Sequence, residues 1–250
     1  MKELEAEFLG RYFWDGCLTV KNNKAQFSIT GDLKEEKEFY KRVVVPEFNE
    51  LFNLSLKLRE YKSNGVCGLY YSSKNFAREL QETYNLKPGK KLNVNLPLLK
   101  TKNEKIAFLR GIFDTDGSIY FCKSYFKTKK PTFCNSFHYK PKIKIALISE
   151  KIITFIYNIF LELDFSPRMY SPRKQKKQEN IIYALVLDND KDVKKWITEI
   201  GFKNIKHKTK VKVWEKYGFC PPKTTIKDRY MILQGVLDPL TFYSWKQNDL

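Results

Sequence analysis

Two stretches of this chain set a glycine and an acid at the same spacing. One is Leu109-Arg110-Gly111-Ile112-Phe113-Asp114-Thr115-Asp116-Gly117, the other Phe8-Leu9-Gly10-Arg11-Tyr12-Phe13-Trp14-Asp15-Gly16. In each, an aspartate follows a glycine by five residues, and a second glycine comes directly after. The copies stand apart by about the length of a small domain. This spacing predicts a pseudo-two-fold protein that brings Asp15 and Asp116 together. Two unpaired carboxylates side by side repel. A divalent cation removes the conflict, and Mg²⁺, or Mn²⁺ in its place, takes carboxylate oxygens together with phosphate oxygens. The chemistry such a pair supports is metal-assisted attack of water on a phosphodiester.

Both acids must be held by helices. Leu4 to Trp14 reads as one helix, and Thr101 with Glu104 forms a capping box that opens the helix ending at Asp116. The glycine after each aspartate suits the left-handed conformation of a helix stop. A helix C-terminus carries partial negative charge, so an aspartate there calls for a nearby cation. Gly10 and Gly111 lie one to two turns earlier and would let the two helices pack in parallel at close backbone distance. A single Asp-Gly at a helix end is an ordinary capped turn; repetition within a basic chain is what points to a site.

The surrounding pattern repeats as well. Residues 1–86 read helix, strand, strand, helix, strand, strand, helix. Cys17 to Val20 and Ala25 to Thr30 alternate as a hairpin. Asp32 with Glu35 opens a helix to about Phe52, bent near Pro46. Leu54 to Tyr61 and Val66 to Tyr71 form a second hairpin around Ser63-Asn64-Gly65, and Ser73 caps Lys74 to Tyr84. Residues 87–100, with Pro88, Gly89 and Pro97, read as a linker. Residues 101–205 repeat the order, with strands Ser118 to Lys123 and Lys142 to Leu147, a Ser149-capped helix to Leu163, strands from Arg168 and Ile181, and a helix from Asp190 to Ile200. Leu69 to Lys74 matches Leu185 to Asp190 at the same join. Residues 206–250, with a helix-like Ile226 to Gln234, form an extension without a counterpart.

The chain has 250 residues, 46 basic against 28 acidic, for a net charge of +18. That excess repels itself unless a polyanion is the partner, which favours nucleic acid. The apolar content and 19 Phe exclude a disordered chain. No apolar run spans a bilayer, and Met1-Lys2-Glu3-Leu4-Glu5 is no signal or transit peptide; an intracellular protein is expected, cytoplasmic or inside an organelle. The five scattered cysteines suit reduced thiols. Cys122, Cys134 and His138 lack the CxxC spacing of a zinc site.

Motif, repeat order, length and charge together resemble the monomeric LAGLIDADG homing endonucleases, over roughly residues 4 to 210. The second motif matches closely through Ser118-Ile119; the first keeps Gly10, Asp15 and Gly16. The resemblance implies an α+β fold of two αββαββα halves forming a DNA-binding saddle, with the motif helices at the interface. It implies that Asp15 and Asp116 bind the metals with the carbonyls of Trp14 and Thr115, and that double-stranded DNA is cut at a long site to leave short 3′ overhangs. Two positions of the first motif depart from the pattern. Arg11 stands for an apolar residue, and Trp14 stands where a small one is usual, so it must fit a gap or push the helices apart. Gly31-Asp32 falls where relatives often carry Gln or Lys near the phosphates. Basic helpers are then sought at Lys90 or Lys91 in one half and Lys206 or Lys208 in the other. The ends of the chain carry no splicing nucleophile, which favours an intron-encoded protein over an intein.

A two-stranded ribbon fits the major groove, with alternate side chains facing the bases. The expected reading face is Lys21, Lys24, Gln26, Ser28, Thr30, Lys57, Arg59 and Tyr70 in the first half. In the second it is Tyr120, Lys123, Lys142, Lys144, Arg168, Tyr170, Arg173 and Tyr183. A one-residue slip would turn any strand inside out. The insertion from Phe121 to Lys144, with seven lysines and no acid, and the run around Lys174 would follow phosphates. Two rivals remain: a binding module of the same fold that has lost cutting, as an intron RNA maturase or regulator, and a structural ribonucleoprotein component.

Overall fold

Strand pairing shows how closely the halves repeat. In this computed structural model, which describes residues 1–22, 24–89, 94–123, 136–173 and 181–243, two four-stranded antiparallel sheets share one order. The first is β1 (Gly16–Lys21), β2 (Lys24–Asp32), β4 (Val66–Tyr71), β3 (Arg59–Tyr61); the second is β5 (Ser118–Cys122), β6 (Lys140–Leu147), β8 (Ile182–Leu187), β7 (Arg168–Arg173). Ile29 pairs with Leu69 and Ile145 with Leu185, so the registers superpose. Alternation drives the pattern: Ala25, Phe27 and Ile29 are buried while Lys24 and Gln26 are exposed. An apolar cluster lines the inner faces of both sheets and the helices on them. The phenylalanines concentrate there, with Phe27 stacked on Phe48 at 5.1 Å and Phe52 edge-on to Phe76 at 4.9 Å.

The motif helices are α1 (Glu3–Asp15) and α5 (Lys102–Asp116), the latter with its capping box intact. Between β2 and β3 runs α2 (Lys37–Phe39), a π-helical turn (Tyr40–Val44) and α3 (Val45–Phe52). The π-turn accommodates Pro46, whose missing N–H falls at the start of α3. The opening cap differs from expectation: Asp32 Oδ1 accepts from the amides of Lys34 and Glu35, while the reciprocal carboxylate is Glu36, which accepts from Asp32 N at 2.9 Å. The strand expected from Leu54 shortens to Arg59–Tyr61. Asn49 takes both backbone groups of Leu56 at 2.9 Å, leaving none for a neighbouring strand.

α4 (Lys74–Tyr84), α6 (Glu150–Glu162) and α7 (Asp190–Lys195), with its π-helical continuation Trp196–Ile200, follow the predicted places. α8 (Ile205–Tyr217) was not expected, and it runs across the boundary drawn at 205/206. α9 (Ile226–Leu233) folds back on it, and the buried Arg229 spans from Thr209 (2.8 Å) to Glu35 of the first half (3.4 Å). Among the described residues, no helix is long and apolar enough to cross a membrane.

Candidate active site

α1 and α5 run in parallel. Asn103 donates to Glu3 at 2.8 Å, and a turn or two further along both helices Arg110 donates to Glu7 at 2.9 Å. Between them the backbones touch. A Cβ on Gly10 would lie 2.3 Å from Phe108 O, and one on Gly111 would lie 2.2 Å from Glu7 O. Only glycine permits that approach, and parallel packing brings both helix C-termini to the same end. Asp15 is half-buried there and Asp116 is exposed.

Gly16 and Gly117 do not adopt the left-handed stop expected of them. Both are extended, at φ −73 and −65; Gly16 begins β1, and Gly117 directly precedes β5. Their glycine requirement has another cause. A Cβ would stand 2.4 Å from the Tyr12 ring at Gly16 and 2.3 Å from the Phe113 ring at Gly117. The chain turns from helix to strand hard against the side chain one turn earlier.

Beside Asp15 stands Tyr40, whose hydroxyl lies 3.3 Å from Oδ2. Burial, reinforced by Asp15 and Glu36, holds the Tyr40 phenol well above its usual pKa, so it remains a donor. Glu36 is buried and accepts from Asn204 Nδ2 (3.1 Å) and Lys206 Nζ (2.6 Å). The same ammonium donates to the carbonyl of Thr115 at 3.1 Å. Of the expected helpers, Lys206 therefore reaches the second motif, whereas Lys208 is exposed on α8. Lys90 and Lys91 lie outside the described residues. Asp114 anchors this junction: its two oxygens accept the amides of Lys203 (2.7 Å) and Asn204 (3.1 Å), and burial pushes its carboxyl up to about 7.

The donors at this end are hard oxygens: the carboxylates of Asp15 and Asp116 and the carbonyls of Trp14 and Thr115. No group of three His, Cys, Asp or Glu that could hold a metal occurs among the described residues. That set suits Mg²⁺ or Mn²⁺, which complete their shells with water and phosphate, and does not suit the closed nitrogen and sulfur shell of zinc. Thr115 Oγ1 bonds back to Ile112 O at 2.8 Å, so only its carbonyl is offered, and it has a lone pair beyond the one Lys206 uses. His138 is spent on Tyr243, 3.3 Å from its hydroxyl, and Cys134 lies outside the described residues.

The two departures in the first motif resolve differently. Trp14 packs half-buried against the core, and the glycine contact beneath it stays closed. Arg11 joins a buried charge cluster that sequence reasoning missed. It pairs with Glu7 and, at 2.7 Å, with Glu47; Glu7 also receives Arg110 (2.9 Å) and Lys203 (2.8 Å), and Lys203 reaches Glu47 at 2.7 Å. Burial alone would raise the Glu7 carboxyl, but Arg11, Arg110 and Lys203 outweigh it and the pKa falls. An arginine on the apolar side of a motif helix needed those partners; Glu7 lies one turn earlier on α1, while Glu47 comes from α3, far away in sequence.

On the outer face of the first sheet, Lys24, Gln26, Ser28 and Thr30 alternate against the buried row, Lys21 pairs with Lys24, and Tyr70 pairs with Ser28. Arg59 joins through Gly68, and Lys57 precedes it, exposed. In the second sheet, Tyr120 pairs with Lys142, Lys144 with Val186, Arg168 with Val186 and Tyr170 with Ala184, all on one face. Lys142 and Arg168 share Asp188, at 3.8 and 3.3 Å. Tyr183, expected on this face, lies on the opposite one. It pairs with Leu147, shares the parity of the buried Leu185 and Leu187, and bonds Glu150 at 3.1 Å. The residue equivalent to Tyr70 is Val186, as the matched joins at Leu69 and Leu185 require. Lys123 sits 5.7 Å over the Tyr243 ring, away from the strand ladder. The Arg173 side chain and Lys174 lie outside the described residues.

No family model and no curated protein matches the chain. Solved structures do. The homing endonuclease I-DmoI in complex with DNA and Mn superposes with a TM-score of 0.52 at 18% identity, covering 80% of this chain and 96% of its own. The LAGLIDADG homing endonuclease I-LtrWI bound to target DNA gives 0.58 at 12% identity, over 86% and 89%. A variant of I-SmaMI gives 0.55 at 11% identity, over 87% and 90%. These superpositions run over most of the chain: it has the fold of the LAGLIDADG homing endonucleases.

Proposed function

We propose that the protein is a sequence-specific endonuclease that hydrolyses both strands of a long duplex DNA site with Mg²⁺ or Mn²⁺, leaving short 3′ overhangs. The observation that carries this reading is the parallel glycine contact, which delivers Asp15 and Asp116 to one end of the helix pair beside two exposed, basic sheet faces. Asp15 and Asp116, with the carbonyls of Trp14 and Thr115, would hold the cations. When bound, such a cation supplies Lewis-acid activation of a phosphodiester and of the attacking water. The chain's own residues do the rest. Lys206, held between Glu36 and the Thr115 carbonyl, places a positive charge next to where the phosphate would sit. Gln26 and the exposed lysines of both sheets offer the donors that base edges and phosphates take. A monomer meets both strands because its two halves carry one aspartate each.

The test is selection from a long randomised duplex library with and without Mg²⁺, sequencing bound and cleaved molecules separately. Metal-dependent cutting at one long site is expected, lost in Asp116→Asn with binding retained. Selective binding without cutting under Mg²⁺ or Mn²⁺ would make the protein a binding module, and preference for RNA over duplex would make it a maturase.

A further inference from the structure

Where the first sheet meets the motif helices, one side chain is missing and another has taken its space. A Cβ on Gly31 would lie 2.5 Å from Tyr40 Cε2 and 2.4 Å from Glu36 Oε2, so no larger residue fits there while the Tyr40 ring is in place. That ring projects from the π-helical turn, is fully buried, and stands edge-on to Phe39 at 5.7 Å. Turns of this kind concentrate at functional sites. The ring ends at Asp15, with 3.3 Å between the hydroxyl and Oδ2. The second half differs at this position. Its residue in register with Gly31 is Leu147, which is half-buried and packs on the core.

We infer that Tyr40 is a positioning residue for Asp15: its hydroxyl donates to Oδ2 and fixes the rotation of the carboxylate, so that the first motif presents a preformed ligand to a divalent cation. The inference rests on the endonuclease reading above. A carboxylate at a strand-helix junction rotates about its χ angles, and fixing it beforehand removes that freedom from the cost of binding. The ring fills the Gly31 gap and makes the hydroxyl a fixed donor rather than a mobile one. Tyr40 touches the ligand and not the substrate, so its effect should appear in cation affinity and leave duplex recognition alone.

The experiment compares wild type, Tyr40→Phe, Asp15→Asn and the double variant as full-length chains. Mn²⁺ binding is read by electron paramagnetic resonance, duplex affinity is measured in Ca²⁺, and unfolding is followed thermally. Tyr40→Phe keeps the ring and should melt and bind duplex as wild type does. It should bind Mn²⁺ at the first motif about tenfold more weakly, equivalent to about 1.4 kcal/mol for one hydrogen bond to a charged group. In the Asp15→Asn background the same change should add nothing. Unchanged Mn²⁺ affinity in Tyr40→Phe, or an equal loss with and without Asp15, overturns the inference. Tyr40→Met, which fills the gap without a donor, gives the answer if the phenylalanine variant unfolds. Failure of the endonuclease reading looks different: wild type would cut no selected duplex, and Asp15→Asn would leave Mn²⁺ binding untouched.

Discussion

Replacing Gly10 by alanine sets two effects of known size against each other. In an isolated helix the change would stabilise by about 1 kcal/mol, because glycine is the poorer helix former. Here the new Cβ would stand 2.3 Å from Phe108 O, 2.9 Å from Ile112 N and 3.2 Å from Gly111 Cα. All three are backbone atoms, so no rotamer change relieves the contact. Reaching 3.4 Å, where ordinary contact begins, moves the helices apart by about 1 Å. Overpacking of this kind costs about 1–3 kcal/mol, so the clash should outweigh the propensity gain. At about 2–4 °C per kcal/mol for a chain of this length, the melting midpoint should fall by a few degrees. Cutting should fall further, since a misplacement of about 1 Å between reacting groups costs about 100-fold. The assays are thermal unfolding followed by circular dichroism and single-turnover cleavage of the selected duplex at saturating Mg²⁺. A Gly10→Ala protein that melts no lower than wild type and cuts at the same rate would refute the claim that this contact sets the distance between the acids.

Other consequences follow from the same geometry. Arg11→Met should destabilise by about 3–5 kcal/mol in urea unfolding, because it leaves the buried Glu7 and the half-buried Glu47 short of a partner; a loss under about 1 kcal/mol would mean Arg110 and Lys203 suffice. Lys206→Ala should slow cutting with duplex affinity little changed, whereas Lys208→Ala should leave the rate alone; equal effects would show that the Thr115 contact is incidental. His207 is fully buried beside Phe113 and Phe202, and burial, aided by Lys206 and Lys210, holds its pKa well below 6.5. Unfolding therefore binds a proton below pH 6.5, and each pH unit further down should cost about 1.4 kcal/mol. Asp114, with its raised pKa, acts in the opposite sense between about 4 and 7, so the readout is the difference between wild type and His207→Leu. That difference should shift in favour of the variant on acidification from pH 7 to 5, and a constant difference would place the imidazole in water.

What the sequence alone determined was local and repeated. The acid-glycine spacing, the Thr101–Glu104 capping box and the two-residue alternation of β2 and β6 are rules obeyed within a few residues of chain, so they could be read directly. The repetition of seven elements then implied the pairing of Asp15 with Asp116. α8 is not legible locally because Ile205-Lys206-His207-Lys208-Thr209-Lys210-Val211 alternates like a strand, and its helix packs against both α9 and β5. The face of Tyr183 is not legible either, because the face of a strand depends on its partner's register, which the strand's own sequence does not hold. The reasons for Gly16 and Gly117, the partners of Arg11 and the seat of Tyr40 in the gap of Gly31 were decided by tertiary structure for the same cause. Glu47 reaches Arg11 and Asp15 reaches Tyr40 from far along the chain, whereas the rings against Gly16 and Gly117 lie one turn away; in both cases the distances in ångströms exist only once the fold sets the backbone path.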